Sequence, residues 1–442
     1  MRHRQNAVAH GRRKGRGAGA GAALSALLLA AGLAGSGAAS AGVLGDLLRD
    51  TLANPSVAAQ RSQREAADKE LASASAGYFG SGAATAENST FESSRFLGVL
   101  NPGGFANPDY ARTQTRYGAN YMLPVDLFGV IAANRAAARQ SLAAAELALR
   151  QETLMKLHQT AGAWAELQAV DAQAEALRLQ RARVAATVER VGGEVGAGSL
   201  AVTDLKLAQS ELARVESDQV RLDGQREQTL AALEEAAGRR PPPGGGRMAI
   251  PAWHEADAGG TLPQQLAGAR AQAADLHARS QRRALWPAVA VGADYYGYDG
   301  GGHNQDTWSV GARLSIPLDI GAHLRDSAEQ ARADAARSDS LAAANRARSQ
   351  LAALKAGYDA ARADIAALEK EVDYRTEVVS VQKELASVGA ETVESAMRRE
   401  RDLFEAQARL AQARAQAVTA WSAAQVVLGT SPEVFISELD AP

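Results

Sequence analysis

The chain contains the same helical hairpin twice, and this duplication constrains the fold more than any single motif does. The first copy bends at Gly198, in Gly198-Ser199-Leu200-Ala201-Val202-Thr203-Asp204, then runs through alanine-rich helix to Gly238 and Pro241. The second bends at Gly389, in Gly389-Ala390-Glu391-Thr392-Val393-Glu394-Ser395, and runs to Gly429 and Pro432. Each stretch from glycine to glycine spans 40 residues, so the copies lie 191 positions apart. At that offset Val202 meets Val393, Leu212 meets Leu403, Ala232 meets Ala423 and Pro241 meets Pro432. A repeat on this scale is a half-molecule, not a short solenoid unit.

Each copy is preceded by strand-like sequence. Arg116, Gly118 and Asn120 alternate with Tyr117, Ala119, Tyr121 and Leu123 up to Pro124, a period of two with one apolar face. The second copy repeats this at an offset of 193, where Val310, Ala312, Leu314 and Ile316 alternate with Gly311, Arg313 and Ser315 up to Pro317. A partner strand precedes each. Ala288 to Tyr298 is well patterned, whereas residues 76–91 are rich in Gly, Ser and Thr and suit a strand only weakly. Turn signals join the pairs, with Asn101-Pro102-Gly103-Gly104 and Asn107-Pro108-Asp109 in the first half and Gly300-Gly301-Gly302-His303-Asn304 in the second. A lone two-stranded hairpin is not stable in water, so the halves need each other.

After each strand the period becomes helical. Asp126 to Arg190 has no proline, and apolar residues recur at sevens, from Leu157 to Trp164 and from Leu177 through Val184 to Val191. Roughly 64 residues of helix extend on the order of 95 Å, the length of a coiled coil or helical barrel. Gly192, Gly193, Gly196 and Gly198 are expected to break that helix, and Leu205, Leu212, Val215 and Leu222 mark the return helix. A first helix runs from Val43 to about Ser75, interrupted at Asn54-Pro55. Arg239 to Gly246 reads as the linker between halves, since Pro-Pro-Pro-Gly-Gly-Gly can be neither helix nor central strand.

Residues 1–41 read as an export signal. Six Lys or Arg residues within the first 16 precede a small-residue apolar core and Ala39-Ser40-Ala41, an A-x-A cleavage site. Removal of this segment takes the formal charge from −2 to about −8, and an acidic chain argues against nucleic acid as partner. There is no cysteine, hence no disulfide, thiolate metal site or lipid-anchoring cysteine. After Ala41 no 18-residue apolar run exists to form a transmembrane helix. Aromatic residues make up 5% of the chain, which suits thin helical layers rather than a thick core.

Catalytic chemistry finds no support in these residues, and no catalytic, cofactor or metal site is assigned. His158, His254, His277, His303 and His323 are dispersed without metal-ligand spacing. Gly193-x-x-Gly196-x-Gly198 follows a helix and lacks the Lys-Ser/Thr of a phosphate loop. Tyr295, Tyr296 and Tyr298 suit ordinary strand packing or, in a membrane barrel, an interfacial aromatic girdle.

The order of elements resembles the TolC-like outer-membrane efflux family across residues 42–429. Its carriers are Leu52-Ala53-Asn54-Pro55, Leu123-Pro124-Val125-Asp126-Leu127-Phe128-Gly129, Ile316-Pro317-Leu318-Asp319-Ile320-Gly321 and the turns at Gly198 and Gly389. The resemblance implies a mainly α-helical protein with a small membrane β-barrel. Three chains would each give four strands to a 12-stranded barrel above a periplasmic tunnel of coiled helices. The implied organisation is a signal peptide at 1–41, repeats at 42–238 and 263–429, a linker at 239–262 and a tail at 430–442. The implied function is a passive exit duct of an efflux pump or type I secretion system, docking with a periplasmic adaptor and an inner-membrane pump. The alternatives are a periplasmic coiled-coil adaptor or a structural protein, but neither would need two alternating strand pairs.

Further residues follow from that resemblance. Tyr117, Tyr121, Leu123, Val310, Leu314 and Ile316 are expected to face outer-membrane lipid. Gly196, Gly198, Leu200, Val388 and Gly389 would form adaptor-contacting tips. Some family members ring the entrance with cation-binding aspartates six and nine residues after the second-copy glycine. Here those positions hold Ser395 and Arg398, so that ring is missing, and an entrance of mixed charge is expected from Asp204, Glu391, Glu394, Ser395 and Arg398.

Overall fold

A computed structural model describes residues 42–99, 109–242, 248–254, 260–387 and 392–440. The export signal, the Asn101 turn and part of the proline-rich linker lie outside these, as do Val388, Gly389 and Glu391. The first half runs α1 (Val43–Thr51), α2 (Pro55–Ala76), β1 (Ser81–Phe96), β2 (Tyr110–Val125), α3 (Val130–Gly196) and α4 (Val202–Ala237). The second half runs α5 (Leu262–Arg283), β3 (Ala288–Gly300), β4 (His303–Ser315), α6 (Ile320–Ser387) and α7 (Val393–Leu428), closed by α8 (Pro432–Leu439).

The four strands form one antiparallel sheet in the order β1-β2-β3-β4, so the central β2–β3 pair joins the two halves. That junction is built on two reciprocal glycine-tyrosine contacts. In adjacent cross-strand pairs, Gly118 opposes Tyr296 and Tyr117 opposes Gly297. A Cβ on Gly118 would lie 2.4 Å from the Tyr296 ring, and one on Gly297 would lie 2.3 Å from the Tyr117 ring. Each tyrosine therefore covers the glycine opposite, one on each face. A slip of one residue would drive rings into side chains, so the contacts pin the register.

The motif residues are the ones that terminate and join elements. Asn54 caps α2 by accepting from Ser56 N at 3.0 Å, while its amide donates to the carbonyls of Glu235 and Ala236 at 3.0 Å each. It thus holds the start of α2 against the last turn of α4. Asp126 accepts from Ile131 N and Ala132 N at 3.2 and 2.9 Å, supplying the exposed donors at the start of α3. Asp319 does the same for α6 through Gly321 N at 2.8 Å.

Helices α3 and α6 have 67 and 68 residues, about 100 Å of helix each. Two helical layers share them: α2, α3, α5 and α6 next to the sheet, and α4, α3, α7 and α6 beyond it. Leu157, Ala161, Trp164, Trp421 and Phe435 form the main core with Leu47 and Leu48 of α1. Residues 248–254 strap this core on one face. Met248 N donates to Gln168 at 3.1 Å, Tyr358 donates to the Pro251 carbonyl at 2.7 Å, and Trp421 donates to the Ala252 carbonyl at 3.2 Å.

Several boundaries differ from the sequence expectation. The first strand begins at Ser81, because Ala76 ends α2 and Gly77–Phe79 forms a 3₁₀ turn. Gly80, at φ 74° with a backbone oxygen 2.1 Å from any Cβ, makes the handover. The second strand starts at Tyr110 rather than Arg116, since Asn88, Ser89 and Thr90 pair with Thr115, Gln114 and Thr113 through backbone bonds that need no alternation. Gly192, Gly193 and Gly196 do not break α3. The turn falls at Gly198, whose φ of 76° is the left-handed one. Helical glycines cost stability without forbidding helix. Ile316 lies outside β4, which ends at Ser315, so it is not a strand position.

Two substitutions probe these joints. Asn54→Ala should destabilise the fold by about 1–3 kcal/mol, through loss of the cap and exposure of two carbonyl groups, as read by denaturant unfolding. Gly297→Ala should cost about 1–3 kcal/mol by overpacking against Tyr117, and adding Tyr117→Ala should recover part of the lost melting temperature. Additive losses in the double variant would show that the two residues do not act as a pair.

Candidate functional site

The sheet has two chemically distinct faces. Cross-strand partners share a face, so the register places Tyr117, Ala119, Tyr121 and Leu123 with Ala293, Val291, Ala312, Val310, Leu314 and Trp308. Gly82, Ala84 and Ala86 of β1 continue that face. It carries large apolar side chains in the open: Trp308 is 75% exposed, Val310 65% and Leu314 64%. The opposite face holds Glu87, Arg116, Asn120, Asp294, Ser309 and Arg313. Arg116 pairs with Glu87 at 2.9 Å across β1 and β2, and Asn120 accepts from Ala83 N at 3.0 Å.

Alternation also divides the tyrosine cluster. Tyr295 lies on the apolar face opposite Trp308, whereas Tyr296 and Tyr298 lie on the polar face, where the Arg116 guanidinium sits 5.7 Å above the Tyr296 ring. The three cannot belong to one interfacial belt. Trp308, which the sequence reading passed over, is the aromatic partner of Tyr295. Only the cross-strand register reveals it.

At the other end of the long helices, Glu394 and Arg398 form an i,i+4 ion pair at 2.7 Å with both side chains exposed. They screen each other rather than presenting two separate charges. Thr392 accepts from Ser395 N and so caps α7. Asp204 stands in the first turn of α4, among the residues that follow Gly198 and Leu200. Val393 and Met397 pack with Val184, Val191 and Ala208, so both hairpin tips share one small core. A further polar tie lies above it. Glu211, nearly buried on α4, receives Arg401 of α7 at 3.3 and 2.9 Å and Arg214 of its own helix at 3.3 Å. This links two helices that otherwise pack on α3 from opposite sides. On α6, Arg375 donates to Glu371 at 2.8 Å and holds that carboxylate below its ordinary range, and Arg409 of α7 donates to the same carboxylate at 2.9 Å.

The helical wall also has two faces. The strap, α1 and the core lie on the side of α3 that carries Trp164 and Gln168. His158, Gly162 and Glu166 are centred about 140° further round the helix at 100° per residue, on a face the strap does not line. His158 contacts the Ser422 hydroxyl at 2.8 Å, and burial lowers its pKa. Among the described residues no helix is long and apolar enough to cross a membrane.

Open borders mark every level of the molecule. β1 and β4 are the sheet's edge strands, α2 and α6 border the upper layer, and α4 and α6 border the lower. The α6 border is apolar and exposed at Leu318 (91%), Ile320, Leu324 and Tyr374, and α4 exposes Val220.

Three solved structures share this fold. The Campylobacter jejuni CmeC outer membrane channel is 12% identical, with a TM-score of 0.77 over 90% of this chain and 89% of its own. The outer membrane protein VceC from Vibrio cholerae is 19% identical, with a TM-score of 0.72 over 87% and 96%. The Neisseria gonorrhoeae MtrE outer membrane channel, solved in its open state, is 16% identical, with a TM-score of 0.72 over 88% and 89%. No curated protein sequence matches the chain. The family model described as outer membrane efflux protein matches residues 47–239 and 265–430, most of both repeats. On that match, the chain belongs to the outer membrane efflux protein family.

Proposed function

We propose that the chain is one protomer of a trimeric outer-membrane duct, through which an inner-membrane pump exports solutes by way of a periplasmic adaptor. The observation that carries this reading is the set of open borders at every level, combined with a sheet that is apolar on one face and polar on the other. In a bilayer an unpaired strand edge has no water to satisfy its backbone groups, so the sheet must close on itself. Four strands are too few to close a barrel, whereas three copies supply 12. Strands of 13 to 16 residues exceed the 9 to 11 needed to cross the hydrocarbon core at a tilt. The apolar face, with Tyr117, Tyr121, Leu123, Val310 and Leu314, then meets lipid, and the Glu87–Arg116 face lines the pore.

The helical layers continue the wall. The strapped face points outward, since α1, α8 and residues 248–254 would plug the bore if they lay inside. The bare face of α3 with His158 and Glu166 lines the tunnel. Gly196, Gly198, Leu200, Val388 and Gly389 form the tips that meet the adaptor. Asp204, Glu391, Glu394, Ser395 and Arg398 surround the entrance, where the Glu394–Arg398 pair cancels and Asp204 and Glu391 leave a net acidic charge.

The mature protein should fractionate with outer membranes and crosslink as a trimer. A monodisperse soluble monomer would overturn the reading in favour of a periplasmic adaptor or structural protein. Leu314→Arg should impair barrel assembly, because Arg facing lipid at the midplane costs about 2–4 kcal/mol. Unchanged trimer yield would remove Leu314 from the lipid face. Leu212→Pro and Leu403→Pro should each abolish export, since an interior proline costs about 3 kcal/mol or more. Normal drug resistance in cells carrying either variant would mean that these helices do not form the conduit.

A further inference from the structure

The bare face of α3 holds a groove of about 390 Å³ between α4 and α7, lined by His158, Gln159, Glu166, Gln228, Thr229 and Thr419. Glu166 is its one charged group. The carboxylate is half-buried and is held from both flanking helices, by Gln225 of α4 at 3.1 Å and Gln412 of α7 at 3.3 Å. Three other carboxylates along α3 and α4 have a guanidinium partner: Asp171 with Arg226 at 2.6 Å, Glu175 with Arg178 at 2.7 Å and Glu216 with Arg181 at 2.9 Å. Glu166 has none among the described residues, and its two amides fix its position without neutralising it.

A partly desolvated carboxylate without a counter-charge attracts a cation more strongly than a solvated one does, because the surrounding dielectric is lower. The rest of the groove indicates which cation. Gln159 and Gln228 line the groove beside Glu166 and bring amide groups to it. Thr229 and Thr419 add hydroxyls. Gly162, Ala163 and Ala232 leave a small apolar floor beside these groups. Burial disfavours the charged form of His158, so at neutral pH it adds no competing positive charge. Among the described residues no three His, Asp or Glu side chains gather to hold a metal ion.

We infer that this groove is a binding subsite for organic cations, in which the Glu166 carboxylate and the threonine hydroxyl oxygens accept from a primary ammonium and the alanine floor takes its apolar stem. Its position on the inner wall rests on the duct reading, and the subsite would then occur three times at one height. Charged amphiphilic solutes would dwell there in transit while neutral ones pass.

The test uses full-length protein extracted in detergent, with n-hexylammonium as probe and n-hexanol as its neutral analogue. Binding is followed by saturation-transfer NMR. The wild type should bind n-hexylammonium saturably, and Glu166→Gln should weaken that binding at least tenfold while leaving the hexanol signal unchanged. Glu175→Gln, at an exposed and paired carboxylate, should leave both signals intact. Equal binding in the Glu166→Gln protein, or displacement of the probe by an equal concentration of K⁺, would overturn the subsite. Either result leaves the duct reading intact so long as the variant is still extracted from membranes as a trimer. A soluble monomer would sink the duct reading itself.

Discussion

An open sheet edge cannot remain in hydrocarbon. Each unpaired backbone group there costs several kcal/mol, and β1 and β4 each present a row of them. This constraint explains why the chain is built as it is. The strands turn one face apolar, which would be a liability in water, and leave both edges free, which would be a liability anywhere. The helices repeat the arrangement, with α6 exposing leucines and a tyrosine along a border that has no neighbour within the chain. In the proposed trimer, neighbouring copies would cover these unfinished surfaces.

Duplication makes such a ring cheap to specify. Each half supplies a strand pair, a long helix and a return helix, and capping aspartates at equivalent positions, Asp126 and Asp319, start the long helices. The halves are joined where errors of register would do most harm, at the β2–β3 pair. There the reciprocal glycine-tyrosine contacts fix the alignment from both faces at once. Asn54 performs the matching task in the helical part by tying α2 to the end of α4. The short motifs that carry the family resemblance are therefore joints. That is why single residues there are distinctive while the helices between them are mostly alanine and charge.

The two repeats are not equivalent at their tips or along the wall. An ion pair between Glu211 and Arg401 ties the two return helices, and one between Arg409 and Glu371 ties α7 to the long helix α6. Glu394 and Arg398 neutralise each other in the first turns of α7. The Glu166 carboxylate is held differently, by the Gln225 and Gln412 amides and not by a guanidinium.

The architecture was legible in the sequence because its signals are local and periodic. Heptad spacing from Leu157 to Trp164 and from Leu177 to Val191, with no proline between, requires long helix, alternation from Tyr117 to Leu123 requires a two-faced strand, and the 191-residue offset requires two halves. Boundaries at Ser81 and Tyr110 were not legible, since cross-strand hydrogen bonds through the backbone impose no side-chain pattern on β1. The glycines at 192, 193 and 196 misled for the opposite reason: glycine permits a break but does not enforce one, and the turn fell where a left-handed residue was needed. Facing relations across elements were decided only by the tertiary structure. Whether Tyr296 joins Tyr295, whether Trp308 pairs with it, and whether Glu166 has a partner all depend on residues far away in the chain. Composition and spacing determine which elements exist, because those energies are set within a few turns or strands. Register and packing determine which side chains meet, because those energies arise only once distant segments are brought together.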